Sequence, residues 1–165
     1  MTLKIESTSS EASKDLIRVF LTHQRSGVLA TADKAANPHA AVIYYSLDDD
    51  FSILFTTKRE TQKFKNMDDN KHVALVVYDE PTQTTVQVFG QVEFVQDENT
   101  LNKVINNLGA ASMEGSSENV SPLDKLTAGD FVAIRLKPTV IKLAEYGFSK
   151  PGGENIFETV LFSDS

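Results

Sequence analysis

Leu16, Ile17, Phe20 and Leu21 recur at helical spacing behind Thr8-Ser9-Ser10-Glu11, where a hydroxyl precedes an acid by the interval of a capping box. The pattern predicts an N-terminal helix that stops near Ser26-Gly27, with the glycine in the left-handed position past the last turn. The period then shortens. Val28 to Thr31 is a short apolar run, and Asp33-Lys34-Ala35-Ala36-Asn37-Pro38 is turn chemistry. His39 to Leu47 and Phe51 to Thr57 are rich in β-formers, and the three aspartates between them predict a solvated hairpin loop. Thr61 to Asp68 fits a short helix. His72 to Tyr78, HVALVVY, is almost continuously apolar and predicts a strand buried on both faces. Thr85 to Val95 alternates around Gly90, and a glycine within a strand marks a bulge or a bend.

Asp97 to Met113 predicts a second long helix, with Leu101, Val104, Ile105 and Leu108 on one side, followed by a flexible loop over residues 114–120. Phe131 to Leu136 and Val140 to Tyr146 predict two strands about Lys137-Pro138, and Phe157 to Phe162 a last one. Strands joined by short turns give an antiparallel sheet rather than alternating βαβ units. The fold class expected is mainly β with peripheral helices, an antiparallel barrel bent at Gly90. One domain over residues 1–165 is expected, with residues 1–9 and 150–165 as flexible ends.

Composition narrows the chemistry. The 165 residues carry a formal net charge of −7 and no cysteine, which excludes disulfides, thiolate catalysis and thiolate metal sites. The acidic balance argues against general nucleic-acid or anionic-membrane binding. The polar N-terminus and the lack of a long apolar run lead us to expect a cytoplasmic protein. No pair among His23, His39 and His72 has metal-ligand spacing, so no metal site is expected. No G-x-S-x-G elbow, P-loop or G-x-G-x-x-G occurs.

Against that acidic background, Lys58, Arg59, Lys63 and Lys65 gather around Glu60, with hydroxyls at Thr56, Thr57 and Thr61, where a strand ends and a helix begins. Cations at a helix N-terminus oppose the helix dipole by about 0.3–1 kcal/mol each when exposed. They become favourable if an anion sits among them, and free N–H groups, hydroxyls and a lysine make a ready phosphate site. Thr61 can cap the helix and also donate to a phosphate oxygen. The competing reading is an ordinary threonine cap beside solvated lysines.

These residues carry a family resemblance. Ala30-Thr31-Ala32-Asp33, Asn37-Pro38-His39, Val42-Ile43-Tyr44-Tyr45, Phe55-Thr56-Thr57, Thr61-Gln62-Lys63 and His72-Val73-Ala74-Leu75-Val76 stand in the order and spacing of the pyridoxamine 5′-phosphate oxidase-like superfamily. The chain resembles these FMN-binding split barrels over about residues 27–95. The resemblance implies a split barrel that binds FMN between two subunits of a homodimer. It places Lys63 and Gln62 at the phosphate, together with Thr56, Thr57 and Thr61. It sets the backbone of Ala41, Val42, Ile43 and Tyr44 against the flavin ring, and puts Thr85 at a further flavin contact.

The departures shape the functional expectation. Ala41 stands where the oxidases have an arginine, Ser46 where they have a lysine, and Gln62 where an arginine is usual. The chain lacks tryptophan, and residues 155–165 hold no arginine or histidine. The resemblance is therefore to the short general-stress type rather than to a vitamin B6 oxidase. It implies an FMN-dependent oxidoreductase, in which the flavin carries the redox chemistry and the protein anchors and orients it. The alternatives are a flavin-binding protein without turnover, for sensing or storage, a relative that binds haem or a deazaflavin, and a structural protein with no ligand. Tyr44 and Tyr45 either stack near a ring or fill the sheet, and Tyr146, Phe148, Phe157 and Phe162 are core, partner contacts or cover for a substrate space over the flavin. No catalytic side chain is named.

Overall fold

The computed structural model describes residues 11–113, 131–148 and 157–162. Thr8 to Ser10 of the expected capping box, the loop at 114–120 and the link at 150–155 lie outside them. The elements in chain order are α1 (Glu11–His23), β1 (Ser26–Ala32), β2 (Pro38–Tyr44), β3 (Ser46–Leu47), β4 (Ile53–Lys58), α2 (Gln62–Asp69), β5 (His72–Asp79), β6 (Thr84–Val95), α3 (Glu98–Met113), β7 (Phe131–Glu145) and β8 (Phe157–Leu161). One antiparallel sheet runs β2-β1-β5-β6-β7-β4-β3, with β8 added on β7. The sheet curls into a split β-barrel, its seam between β2 and β4.

Alternation decides which face fills the barrel. Leu29, Ile43, Phe55, Leu75, Val77, Val88, Ile134 and Ile141 point inward, joined by Ile17 and Leu21 of α1 and by Phe64 and Met67 of α2. Each such side chain contributes roughly 1.5–3 kcal/mol when fully buried. On the opposite face of β4, Leu54 meets Val104 and Leu108 of α3 in a separate small cluster. The helix stripe read as Leu101, Val104, Ile105 and Leu108 thus docks through its middle and last members.

Gly90 marks a real irregularity. Phe89 pairs with Val140 and Gly90 with Pro138, so Thr139 is the extra residue of a bulge. A Cβ on Gly90 would lie 1.9 Å from the Lys137 carbonyl oxygen, so no side chain fits. The same point divides the other edge of β7. Leu136 is its last residue paired with β4, and Val140 the first paired with β8. The bulge is where the sheet turns its corner, as bulges at barrel rims do. β7 is therefore one strand of 15 residues and not the two expected about Lys137-Pro138. Pro138 is tolerated because it sits at the bulge.

Three other expectations need correction. α1 ends at His23, where the Gln24 N–H closes the last turn on the Phe20 carbonyl at 2.9 Å. Gly27 is not a helix cap. It lies in β1, where a Cβ would meet the Val76 carbonyl oxygen at 2.8 Å. Extended pairing of Ser26 with Tyr44 claims the backbone before a left-handed turn can form. Nor is β5 buried on both faces in one chain. Val76 and Tyr78 are 38% and 56% exposed while Val73, Leu75 and Val77 are buried. The segment read as His39 to Leu47 is also two strands. They part at Tyr45, which turns inward to donate its phenol to the Leu21 carbonyl at 3.0 Å. Burial raises that phenol's pKa well above its ordinary value.

No helix among the described residues is long and apolar enough to cross a membrane.

Candidate functional site at the β4 to α2 junction

The junction is built by a threonine pair. Thr61 is the N-cap of α2, with extended φ −73° and ψ 150°. Its hydroxyl oxygen accepts the Phe64 N–H at 3.3 Å and donates its proton to the Lys58 carbonyl at 2.8 Å. Thr57, buried at the end of β4, lies 3.0 Å away oxygen to oxygen. A hydroxyl has one proton, so with Thr61's given to Lys58, Thr57 is the donor of the pair. The expected cap is present. In this arrangement the Thr61 proton is committed to the loop, and the hydroxyl pair shapes the junction. Thr56, half-buried on the other face of β4, keeps a hydroxyl that has no partner among the described residues.

The cations divide by role. Lys58 reaches Glu60 at 4.0 Å and lies 5.4 Å over the Phe131 ring. Arg59 lies 5.5 Å over the Phe64 ring. Lys63 is half-buried and, among the described residues, forms no ion pair. Burial lowers its pKa from the usual lysine value, since desolvation disfavours the ammonium. The first turn of α2 contains no acid. The N–H groups of Gln62 and Lys63 have no carbonyl to meet within the helix. An unpaired ammonium therefore stands with two open N–H groups at the positive end of a helix dipole.

The strand named for the ring lies across the seam. β2 pairs on one side only, with β1, and packs its other side toward β4 and α2. Ala41 and Ile43 face inward opposite Leu29 and Gly27, while Val42 and Tyr44 face out, each 64% exposed. The fold thus brings Ala41 to Tyr44 and Thr56 to Lys63 to one region. Thr85 is not brought there. It sits on β6, separated from β2 by β1 and β5, and donates its hydroxyl to the Val77 carbonyl at 3.3 Å.

Sequence reading missed Asn66. It is 2% exposed, accepts the Gln62 side-chain amide at 2.8 Å and donates to Thr31 Oγ1 at 3.1 Å. The only signal was a polar residue between Phe64 and Met67, the two apolar anchors of α2.

The outer face of the sheet is apolar. Val28 stands opposite both Val42 and Val76, with Tyr44, Tyr78 and Phe89 around them, and all six are more than a third exposed. Scattered exposed hydrophobics are ordinary, but a contiguous patch marks an interaction surface.

Barrel topology and seam together define a split-barrel protein with a cationic helix start beside the seam. The family model for pyridoxamine 5′-phosphate oxidase matches residues 13–144, and the chain belongs to that family. Among solved structures, it is similar to a conserved hypothetical protein from Mycobacterium tuberculosis, with TM-score 0.65 and 20% identity over 93% of this chain and 99% of that one. It is similar to general stress protein 26 from Bacillus anthracis, with TM-score 0.60 and 23% identity over 79% and 92%. It is also similar to the haem storage protein HutZ from Vibrio cholerae, with TM-score 0.61 and 19% identity over 76% and 89%. At these identities the structures show the shared fold. Comparison with curated proteins gives no match.

Proposed function

We propose that the protein binds FMN at the seam, in a homodimer whose cofactor site lies at the subunit interface, and serves as a flavin-dependent oxidoreductase. The observation that carries this is Lys63, half-buried and without an ion-pair partner among the described residues, at a helix start that holds no acid. The donor set fits a phosphate: one ammonium and the N–H groups of Gln62 and Lys63. When bound, the flavin supplies hydride and electron transfer.

The chain's own residues have three tasks. Lys63 neutralises the headgroup, and the Thr57–Thr61 pair holds the loop that presents it. The unpaired edge of β2, from Ala41 to Tyr44, offers backbone N–H and C=O groups to a planar ring. The outer apolar face takes the second subunit, which accounts for a β5 whose sequence is apolar on both sides. Thr85 pairs with Tyr78 of that face, and we assign it to the partner's site rather than its own. The departures at Ala41, Ser46 and Gln62 favour a general-stress type of flavoprotein over a vitamin B6 oxidase. A cytoplasmic location suits a cysteine-free chain.

Purified protein should be yellow and release FMN on denaturation. Bleaching of the bound flavin by NAD(P)H identifies an enzyme, and no bleaching by any donor a carrier. A Soret band in place of flavin absorbance identifies a haem protein. Colourless protein that does not take up added FMN overturns the proposal.

A further inference from the structure

Gln62, Asn66, Thr31 and His39 form a hydrogen-bonded line from the first turn of α2 into the β1–β2 hairpin. The Gln62 amide donates to Asn66 Oδ1 at 2.8 Å, Asn66 Nδ2 donates to Thr31 Oγ1 at 3.1 Å, and Thr31 donates to the His39 carbonyl at 3.4 Å. Asn66 and Thr31 are 2% and 4% exposed. A second tie joins the far end of the helix to the same hairpin. Lys34, in the β1–β2 turn, donates its N–H to Asp69 at 2.8 Å and places its ammonium 2.9 Å from the same carboxylate. α2 is thus fastened to the hairpin at its middle and end, and Gln62 links its first turn to the middle tie.

A buried carboxamide is costly unless both its ends are satisfied. Between Phe64 and Met67 a leucine would serve packing alone. Apolar contacts tolerate sliding and rotation, whereas a hydrogen bond weakens steeply off its preferred angle. A slip of one residue along α2 turns Lys63 by about 100° and shifts it by about 1.5 Å. We propose that Asn66 is a positioning residue, which registers the cationic start of α2 against β2 so that the phosphate anchor and the strand edge keep a fixed relation. This rests on the flavin reading above, and it adds a specificity role to a residue that touches no ligand.

The test uses the full chain with Asn66→Leu and Thr31→Val, the second being nearly isosteric and removing the acceptor for Asn66 together with the donor to the His39 carbonyl. Binding of FMN and of riboflavin, which lacks the phosphate, is titrated alongside thermal unfolding. Both variants should bind FMN about tenfold more weakly, while riboflavin affinity changes less than about twofold. A residue with a merely structural role would lower Tm and leave the FMN-to-riboflavin ratio at the wild-type value, and that result overturns the proposal. Should Asn66→Leu not fold, Thr31→Val decides alone. Amide exchange in ligand-free protein gives an independent reading. Thr31→Val should speed exchange in α2 and in the β1–β2 hairpin together, and unchanged exchange in α2 overturns the coupling. Wild-type protein that binds FMN no better than riboflavin overturns the phosphate reading itself, whatever the exchange shows.

Discussion

The hydroxyl oxygens of Thr57 and Thr61 lie 3.0 Å apart across the turn from β4 to α2. One residue ends a strand buried in the barrel and the other caps a helix. Their contact ties a cationic loop to a strand buried in the barrel core. Because Thr61 also accepts the Phe64 N–H and donates to the Lys58 carbonyl, its oxygen is a shared vertex of the junction.

Thr61→Ala should therefore cost about 0.5–2 kcal/mol of stability, the usual value of a lost cap, and loosen FMN binding as well. Urea denaturation followed by circular dichroism measures the first effect and flavin titration the second. Thr61→Ser should restore most of both. A serine variant as unstable as the alanine one would show that the methyl group, and not the cap, matters.

Lys63 predicts a pH dependence with a definite sign. Its folded pKa lies below the usual 10.5, because burial disfavours the charged form. In ligand-free protein the unfolded chain binds the extra proton between those two values. Stability should then rise slightly with pH across that window. A phosphate reverses the balance by favouring the ammonium. FMN affinity should be level above the phosphate's second ionisation, near about pH 6, and fall as pH climbs through the Lys63 pKa. Lys63→Glu should weaken binding by roughly tenfold or more at neutral pH with the fold intact. Calorimetric titration across pH checks both, and an unchanged affinity in Lys63→Glu contradicts the phosphate assignment.

The outer face gives a third prediction. Wild-type protein should sediment as a dimer, and Val76→Arg, which sets a charge beside Val28, should yield folded monomers. FMN affinity should be lost together with the dimer if the site is shared. A wild-type monomer at micromolar concentration would falsify the shared site.

Gly90→Ala probes the corner. With the Lys137 carbonyl oxygen 1.9 Å from the new Cβ, backbone must move. The expected cost is about 1–3 kcal/mol, toward the upper end because no flexible side chain can yield. An unchanged urea midpoint would mean that the bulge relaxes freely.

Much of this architecture was legible because local chemistry and global fold agree. The threonine before Gln62, the aspartate-rich hairpin and the glycine in β6 each announced their roles. The cationic cluster stood out because an acidic chain has reason to avoid it at a helix start. Where reading failed, a tertiary effect won. Gly27 carries the composition of a helix end, but strand pairing with Tyr44 and Ile43 takes it. Pro138 reads as a break, yet a bulge absorbs it without ending β7. His72 to Tyr78 reads as doubly buried because its outward positions are apolar too, yet Val76 and Tyr78 are exposed. Asn66 left no mark, since its partners lie on another element, and Thr85 was placed by resemblance on a strand that β1 and β5 separate from β2.

The bulge at Thr139 has one more consequence, for biosynthesis. β7 pairs with β6 along its whole length and, on its other edge, with β4 before the corner and β8 after it. On the ribosome, β4 emerges early and waits with an open edge until residues 131–145 clear the exit tunnel. Such late, distant pairing makes closure slow and leaves a nascent sheet open to wrong partners. Released chains truncated before residue 131 should accordingly be protease-sensitive and chaperone-bound, and released full-length chains should not.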